Sequence, residues 1–171
     1  VTDFELASRL SYFLWSSMPD EELFKLAREG RLKDSAVLTA QVKRMLKSEK
    51  SRSIVDNFAE QWLNLRMLDE VTPDPAVFPG FDERLRDDMK RETLLLFGEV
   101  MHQDRSILDF LDADFTFVNE RLAQHYGIQN VSGDEFKKVS LNAAQRAGVL
   151  THASILTITS NPDRTSPVKR G

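Results

Sequence analysis

The chain has 171 residues, of which 41% are hydrophobic, which is enough apolar material for one domain core and too much for a disordered chain. Its formal net charge of −4 argues against a general nucleic-acid binder, which needs a concentrated basic face. Cysteine is absent, which excludes disulfides, thiolate metal sites, cysteine nucleophiles and covalent attachment of c-type haem within this chain.

Helical periodicity dominates the first part of the sequence. Apolar residues at steps of three and four predict a first helix that is capped by Asp3 and ends near Ser16. Pro19, followed by three acidic residues, predicts the start of a second helix, and Gly30 predicts its end. A third predicted helix runs from about Asp34 to Ser48.

A segment with widely spaced aromatic residues follows, from about Ser51 to Leu65. It carries Ile54, Phe58 and Trp62 at successive steps of four, a spacing that places the side chains on one helix face. We therefore predict that these three residues form a ridge that packs centrally in the core.

The proline-rich loop 72–80 is the clearest break in the chain and a candidate lobe boundary. After it, the apolar pattern predicts the longest helix, from Phe81 to about Gln103, and a short helix that begins at Ser106. A further short helix, with Phe117, Leu122 and Tyr126, is predicted to end at Gly127. Residues 136–139 are predicted as an isolated short strand or an extended loop, and Gly148–Ile155 as a helix.

Together these elements predict an all-α fold, an irregular bundle of about seven or eight helices with at most a minor extended segment near 136–139. We expect residues 1–171 to form a single helical domain whose C-terminal tail, 159–171, leads to a further domain that this chain lacks. The chain begins with Val rather than Met, so we also expect an excised piece of a longer protein, without that protein's signal peptide.

The histidines are candidates for metal binding or proton transfer. Glu99 and His102 lie one helical turn apart, as in di-iron bundles, but such sites need two pairs, so a polar helix end is the interpretation. His125 precedes a helix-ending glycine and suits the helix C-terminus. His152 lies in an apolar run, so it is either hydrogen-bonded in the core or aimed into a cleft, there to ligate an iron held elsewhere or to transfer a proton.

No phosphate-binding glycine loop, nucleophile elbow or complete set of metal ligands occurs in the sequence. The sequence therefore predicts no metal and no cofactor in this segment, and it assigns no catalytic residue.

The tail holds the densest unusual chemistry. Besides His152, the candidate functional residues are polar or cationic and lie within ten positions: Asn161, Arg164, Thr165, Ser166, Lys169 and Arg170. Two prolines favour an extended path there, so these groups are not all used in helical hydrogen bonds. The cations suit an anion or the carboxylates of a neighbouring domain, and the alternative is a solvated linker.

Three phrases of the sequence carry a family resemblance. They are Phe4–Asp20 (FELASRLSYFLWSSMPD), Asp114–Ala123 (DFTFVNERLA) with His125–Gly127, and Thr159–Pro162 with Arg164–Gly171 (RTSPVKRG). In this order they closely resemble a domain of unknown function found in planctomycete-type multidomain cytochrome c proteins. The similarity spans nearly the whole chain, although it supplies no catalytic residue.

The resemblance implies neighbouring domains that carry haem c and a periplasmic or otherwise extracytoplasmic location. The function that follows is a non-catalytic scaffold or docking domain accompanying a c-type cytochrome module, in a larger exported protein. The alternative is a composite redox enzyme site completed by the haem domain, with His152 and the Arg164–Arg170 segment as contributors. A carbohydrate- or polymer-binding module, with Trp15 in an exposed groove, is the third hypothesis. The partners expected are neighbouring domains of the same chain, with no nucleic acid and no transmembrane segment in this piece.

Overall fold

The first three helices of the chain begin at Thr2, Asp20 and Asp34, whose side chains accept hydrogen bonds from the first helical turn. The computed structural model describes residues 1–142 and 145–170, except for the side chain of Arg170. They form two compact units, Val1–Ala59 and Glu60–Gly171. The main helices of the first unit are α1 (Asp3–Trp15), α2 (Glu21–Arg28) and α3 (Ser35–Leu46).

The cap of α1 differs from the prediction by one residue. Thr2, rather than Asp3, is the N-cap, because the Thr2 hydroxyl accepts from the Glu5 amide at 3.2 Å and the Glu5 carboxylate accepts from the Thr2 amide at 2.8 Å. Asp3 instead accepts from the amide of Leu32 at 2.8 Å. Trp15 is 6% exposed and donates its indole N–H to the Met45 carbonyl at 2.9 Å, so it belongs to the core of this unit.

The prediction that Ile54, Phe58 and Trp62 form a central ridge is wrong. The chain continues as a short 3₁₀ turn (Glu49–Ser51), α4 (Arg52–Ile54), one wide π turn (Val55–Ala59) and α5 (Glu60–Trp62). A π turn changes the angular step per residue, so a spacing of four no longer keeps side chains on one face. Ile54 is buried, whereas Phe58 is 42% and Trp62 is 56% exposed.

The second unit is arranged around α6 (Glu83–His102), which confirms the predicted longest helix. A 3₁₀ turn (Leu65–Asp69) precedes it, and α7 (Asp109–Asp112) and α8 (Glu120–Tyr126) follow it. The loop 72–80 lies within this unit, where the amide of Asp74 donates to the carbonyl of Pro162 at 2.9 Å.

A two-stranded antiparallel sheet is the extended part of the fold. Strand β1 (Phe115–Val118) pairs with β2 (Lys137–Ser140), and Phe115 lies opposite Ser140. The bounds predicted for this extended segment, 136–139, thus differ from those of β2 by one residue at each end. Its partner was not predicted, although β1 consists of aromatic and β-branched residues that favour strands.

The predicted helix Gly148–Ile155 is interrupted. Val149–Thr151 forms a 3₁₀ turn, His152 is extended at φ −66° and ψ 140°, and α9 runs from Ala153 to Ile158. The short α10 (Pro167–Arg170) ends the described chain. The predicted all-α class with a minor extended segment is confirmed, while the prediction of one domain over 1–171 stays a prediction.

No helix in the described part of the chain is long and apolar enough to cross a membrane.

Candidate functional site

The tail is folded back on itself. The amide of Asn161 donates to the carbonyl of Arg164 at 2.8 Å, and Ser160 and Thr165 form an isolated antiparallel bridge. The hydrogen bond from Asp74 to Pro162 joins this turn to the proline-rich loop. The tail therefore turns back between Ser160 and Thr165 and then forms the short helix α10, rather than following one extended path.

Three of the sequence-predicted residues line one cleft of about 200 Å³ in the second unit, namely Asn161, Arg164 and Thr165. His125 lines it as well. The rest of its wall is mostly apolar and comes from the proline-rich loop, α6 and α9: Val71, Pro73, Phe78, Phe81, Met89 and Leu156. We refer to this feature as the tail cleft.

The remaining tail residues lie elsewhere. Ser166 is half-buried and accepts from the amide of Lys169 at 3.1 Å through its carbonyl. Lys169 donates its ammonium group to the carbonyl of Ser160 at 3.0 Å. The side chain of Arg170 lies outside the described part of the structure.

Lys169 also borders a second, wider depression of about 450 Å³. This apolar groove is lined mainly by residues of α5, the Val149–Thr151 turn and α9: Trp62, Leu63, Val149, Leu150, Ile155 and Ile158. The ring of Trp62 packs edge-on against Phe97 and Phe110, with centroids 6.2 and 5.9 Å away. One part of the indole is thus fixed by the unit's own rings, while 56% of the residue stays exposed.

His152 takes the core alternative that the sequence left open. It is 2% exposed and lines neither of these two depressions. Its Nδ1 lies 2.9 Å from the Thr93 hydroxyl, and its Nε2 lies 3.5 Å from the Thr116 hydroxyl. Because the imidazole has partners on both sides, it is a positioned internal group rather than a free surface ligand.

A buried carboxylate completes this network. Glu92 is 1% exposed, accepts from the Thr116 hydroxyl at 2.6 Å through Oε1, and accepts from the Tyr126 hydroxyl through Oε2. The Tyr126 oxygen accepts in turn from the amide of Ala153 at 2.8 Å. Nε2 of His152 lies 3.8 Å from Oε1 of Glu92.

Glu92, Thr93, Thr116 and Tyr126 were not among the predicted site residues. One signal was present: Glu92 occupies the apolar stripe of α6 that also carries Leu85, Met89 and Leu96. A carboxylate on such a stripe must be paired or protonated in the core, since burial of an unpaired charge is costly. The partners of Glu92 could not be predicted from the sequence, because they come from the distant elements β1 and α8.

Burial governs the protonation of the network. It raises the pKa of Glu92 to about 7, against the opposing effect of the hydrogen bonds from Thr116 and Tyr126. Burial, and then the positive charge of Arg146, lower the pKa of His152 to about 3. Burial, and then the negative charge of Glu92, raise the pKa of the Tyr126 hydroxyl above its ordinary range. At neutral pH the network therefore holds a neutral imidazole, a neutral phenol and a carboxyl group close to its midpoint.

The polar end predicted for the helix that carries Glu99 and His102 is found at the C-terminus of α6. Glu99 pairs with the ammonium group of Lys138 at 2.6 Å, and His102 is exposed at the end of α6. Within residues 1–142 and 145–170, no group of three or more His, Asp or Glu side chains is arranged to hold a metal ion.

The family model that matches the chain is PSD4, described as a protein of unknown function (DUF1592), and it covers residues 1–128. The chain belongs to this family. Membership in a family of unknown function, as the resemblance predicted, is confirmed. No curated protein matches the chain. No solved structure matches it either.

The DUF1592 match includes only part of the buried network around Glu92. Glu92, Thr93, Thr116 and Tyr126 lie within it, whereas His152 lies in the segment that follows. The tail cleft also takes residues from both parts, since His125 lies inside the match and Arg164 lies outside it. Neither arrangement is complete within residues 1–128.

The opposite pKa shifts of Glu92 and His152 predict a pH signature. The raised pKa of Glu92 stabilises the folded chain fully below about pH 4.5, and this contribution is lost as pH rises through 7. The lowered pKa of His152 stabilises the folded chain fully above about pH 6.5, and this stabilisation is lost as pH falls through 3. Between pH 4.5 and 6.5 the two slopes oppose each other.

We therefore expect Glu92→Gln to expose the His152 slope. In this variant the free energy of unfolding rises with pH between 4.5 and 6.5 more steeply than in the wild type, as measured by urea denaturation at several pH values. Asp87→Asn, an exposed change on the same helix, is the control and keeps the wild-type profile. Parallel profiles for the wild type and Glu92→Gln would show that Glu92 titrates normally.

Proposed function

We propose that this DUF1592 chain is a non-catalytic docking domain, which packs beside a c-type cytochrome domain in a larger exported protein. The resemblance of its three sequence phrases to multidomain cytochrome c proteins supports the choice of partner and the extracytoplasmic location. The chain itself has no cysteine, so its residues do not fit covalent attachment of a c-type haem. The haem belongs to the partner in this proposal.

The observation that carries the proposal is the apolar groove. Trp62 is 56% and Leu150 is 59% exposed, and both line the same depression. Exposed apolar surface that gathers at one place marks interaction sites, and interface cores are enriched in aromatic residues. A rigid, partly packed indole is well suited to such a contact, because little side-chain entropy is lost when it is covered.

Charge at the rim of the groove fits the proposed partner. Lys169 borders the groove, and among the described residues its ammonium group is found bonded to the carbonyl of Ser160, which leaves donors for a partner. Haem carries propionate carboxylates, with which an ammonium group can pair. A cation beside an apolar contact would orient such a partner and set its register more than it would add affinity.

The alternative, a composite redox site completed by the haem domain, places different demands on the chain. His152 is 2% exposed, so it reaches a neighbour only after local opening of the second unit. Trp62 and Leu150 of the groove, by contrast, are more than half exposed. The geometry therefore favours docking through the groove over ligation through His152.

The test places a charge in the groove of the intact protein that contains the haem domain. Leu150→Glu keeps a largely exposed side chain exposed, but it would bury a carboxylate in the docked interface. We expect cleavage by a protease at the junction between the two domains to accelerate about tenfold, which corresponds to about 1.4 kcal/mol of lost docking energy.

Ile107→Glu is the matched control, since Ile107 is an apolar residue of the same unit that is 77% exposed and does not line the groove. It should leave the cleavage rate unchanged. Equal rates for Leu150→Glu and the wild type would exclude the groove as the docking surface. Unchanged docking together with a changed haem reduction potential in a His152→Asn protein would support the composite site instead.

A further inference from the structure

The tail cleft has a composition unlike that of the apolar groove. We infer that it binds a small organic carboxylate with an apolar body, such as an aromatic or branched-chain monocarboxylate, and that Arg164 receives the carboxylate. This site is independent of the proposed docking function, because its residues and those of the groove do not overlap.

The walls of the cleft suit an apolar body of limited size. Phe78 and Phe81 come from the proline-rich loop and its continuation into α6, and Leu156 comes from α9. A volume of about 200 Å³ is below the range of about 300–1,000 Å³ typical of pockets for drug-sized molecules. The cleft therefore admits one ring or a short branched chain rather than a nucleotide or a cofactor.

Polar groups with unused hydrogen-bonding capacity converge on these walls. Among the described residues, no hydrogen bond or ion pair is found for the side chains of Asn161, Arg164 or Thr165. A side-chain amide, a hydroxyl and a guanidinium group are therefore available to a ligand at one place. Few polar groups placed around an apolar wall are the usual composition of a small-molecule site.

The charge of the cleft selects an anion with a single charge. No acidic residue is among the described residues that line it, and Arg164 is the residue there that is positively charged at every physiological pH. Partial burial, and then the charge of Arg146, lower the pKa of His125, which disfavours the charged form of this imidazole. One guanidinium fork matches one carboxylate, whereas a phosphate would require more donors and more positive charge.

The backbone holds Arg164 on a fixed turn. Its carbonyl accepts from the amide of Asn161 at 2.8 Å, and the bridge between Ser160 and Thr165 closes the same turn. The bond from Asp74 to Pro162, 2.9 Å long, ties the turn to the loop that carries Phe78. Because both sides of the cleft are joined, a ligand needs to order little more than the Arg164 side chain, which lowers the entropic cost of binding.

The test uses the ¹⁵N-labelled 171-residue chain, titrated with benzoate, phenylacetate and 3-methylbutanoate in the millimolar range. We expect at least one of these acids to shift the amide resonances of Phe81, Asn161 and Thr165 in a saturable way. Benzamide, which has the shape of benzoate but no charge, should bind at least tenfold more weakly. Arg164→Gln should weaken carboxylate binding by about the same factor, while Arg164→Lys should restore part of it.

Arg84→Gln is the matched control, because Arg84 is an exposed arginine of the same unit that does not line the cleft. It should bind like the wild type. The proposal is wrong if none of the three acids shifts these resonances, or if benzamide and benzoate bind equally well to the wild type. It is equally wrong if only a peptide with a free C-terminal carboxylate binds, because the cleft would then be a peptide site. Since the experiment uses no haem domain, its outcome is separate from that of the docking test.

Discussion

Gly148→Ala should lower the free energy of unfolding of the second unit by about 3 kcal/mol or more. Gly148 has φ +57° and ψ −176°, a backbone conformation that is costly for residues with a Cβ atom. A Cβ atom at this position would lie 2.4 Å from the carbonyl carbon and oxygen of Leu111 and 2.6 Å from the carbonyl oxygen of Phe110. These are backbone atoms of α7 and cannot move aside as a side-chain end does.

Urea denaturation followed by circular dichroism measures this effect, and Gly80→Ala is its matched control. No atom lies within 4 Å of a Cβ built on Gly80, so this change should alter the free energy of unfolding by no more than about 1 kcal/mol. If Gly148→Ala proves as stable as Gly80→Ala, the close approach of the two backbones is incorrect.

Glu92→Ala should lower the free energy of unfolding by about 3 kcal/mol or more. The change removes the carboxylate that accepts from the buried Thr116 hydroxyl and from the half-buried Tyr126 hydroxyl, at a cost of about 1–3 kcal/mol for each donor left without an acceptor. The cavity left by the truncated side chain adds to this loss. The same denaturation measurement provides the value.

Asp87→Ala is the control for Glu92→Ala. Asp87 is exposed on the same helix, so its removal should change the free energy of unfolding by less than about 0.5 kcal/mol. Glu92→Gln should fall between the two, because an amide oxygen still accepts from Thr116. A Glu92→Ala protein with wild-type stability would show that the buried hydrogen bonds contribute nothing net.

The main features of the helical fold could be predicted from the sequence because local rules specify them. Asp20, Asp34 and Asp82 cap three helices through their side chains, and these acids precede clear apolar stripes. The failures arose where the chain departs from regular helical geometry. The π turn at Val55–Ala59 moves Phe58 and Trp62 away from the helix face that a spacing of four predicts. No residue type in this segment indicates such a turn.

The candidate sites were predicted only in part, because they depend on contacts between distant segments. The density of polar residues pointed to Asn161, Arg164 and Thr165, and the structure gathers these on one cleft. Neither the apolar wall opposite them nor the link between Asp74 and Pro162 follows from local patterns. For His152, the apolar run predicted burial as one alternative, but its hydroxyl partners come from α6 and β1.

The two tryptophans of the chain differ sharply in their surroundings. Trp15 is 6% exposed in the first unit, whereas Trp62 is 56% exposed at the groove of the second unit. An enclosed indole emits at shorter wavelength and is shielded from soluble quenchers, while a hydrated indole emits at longer wavelength and is quenched readily. Each unit thus contains one tryptophan, and Trp62, with the longer-wavelength emission, lies at the groove where a partner would dock. Docking and unfolding can therefore be followed optically, unit by unit, without adding a label.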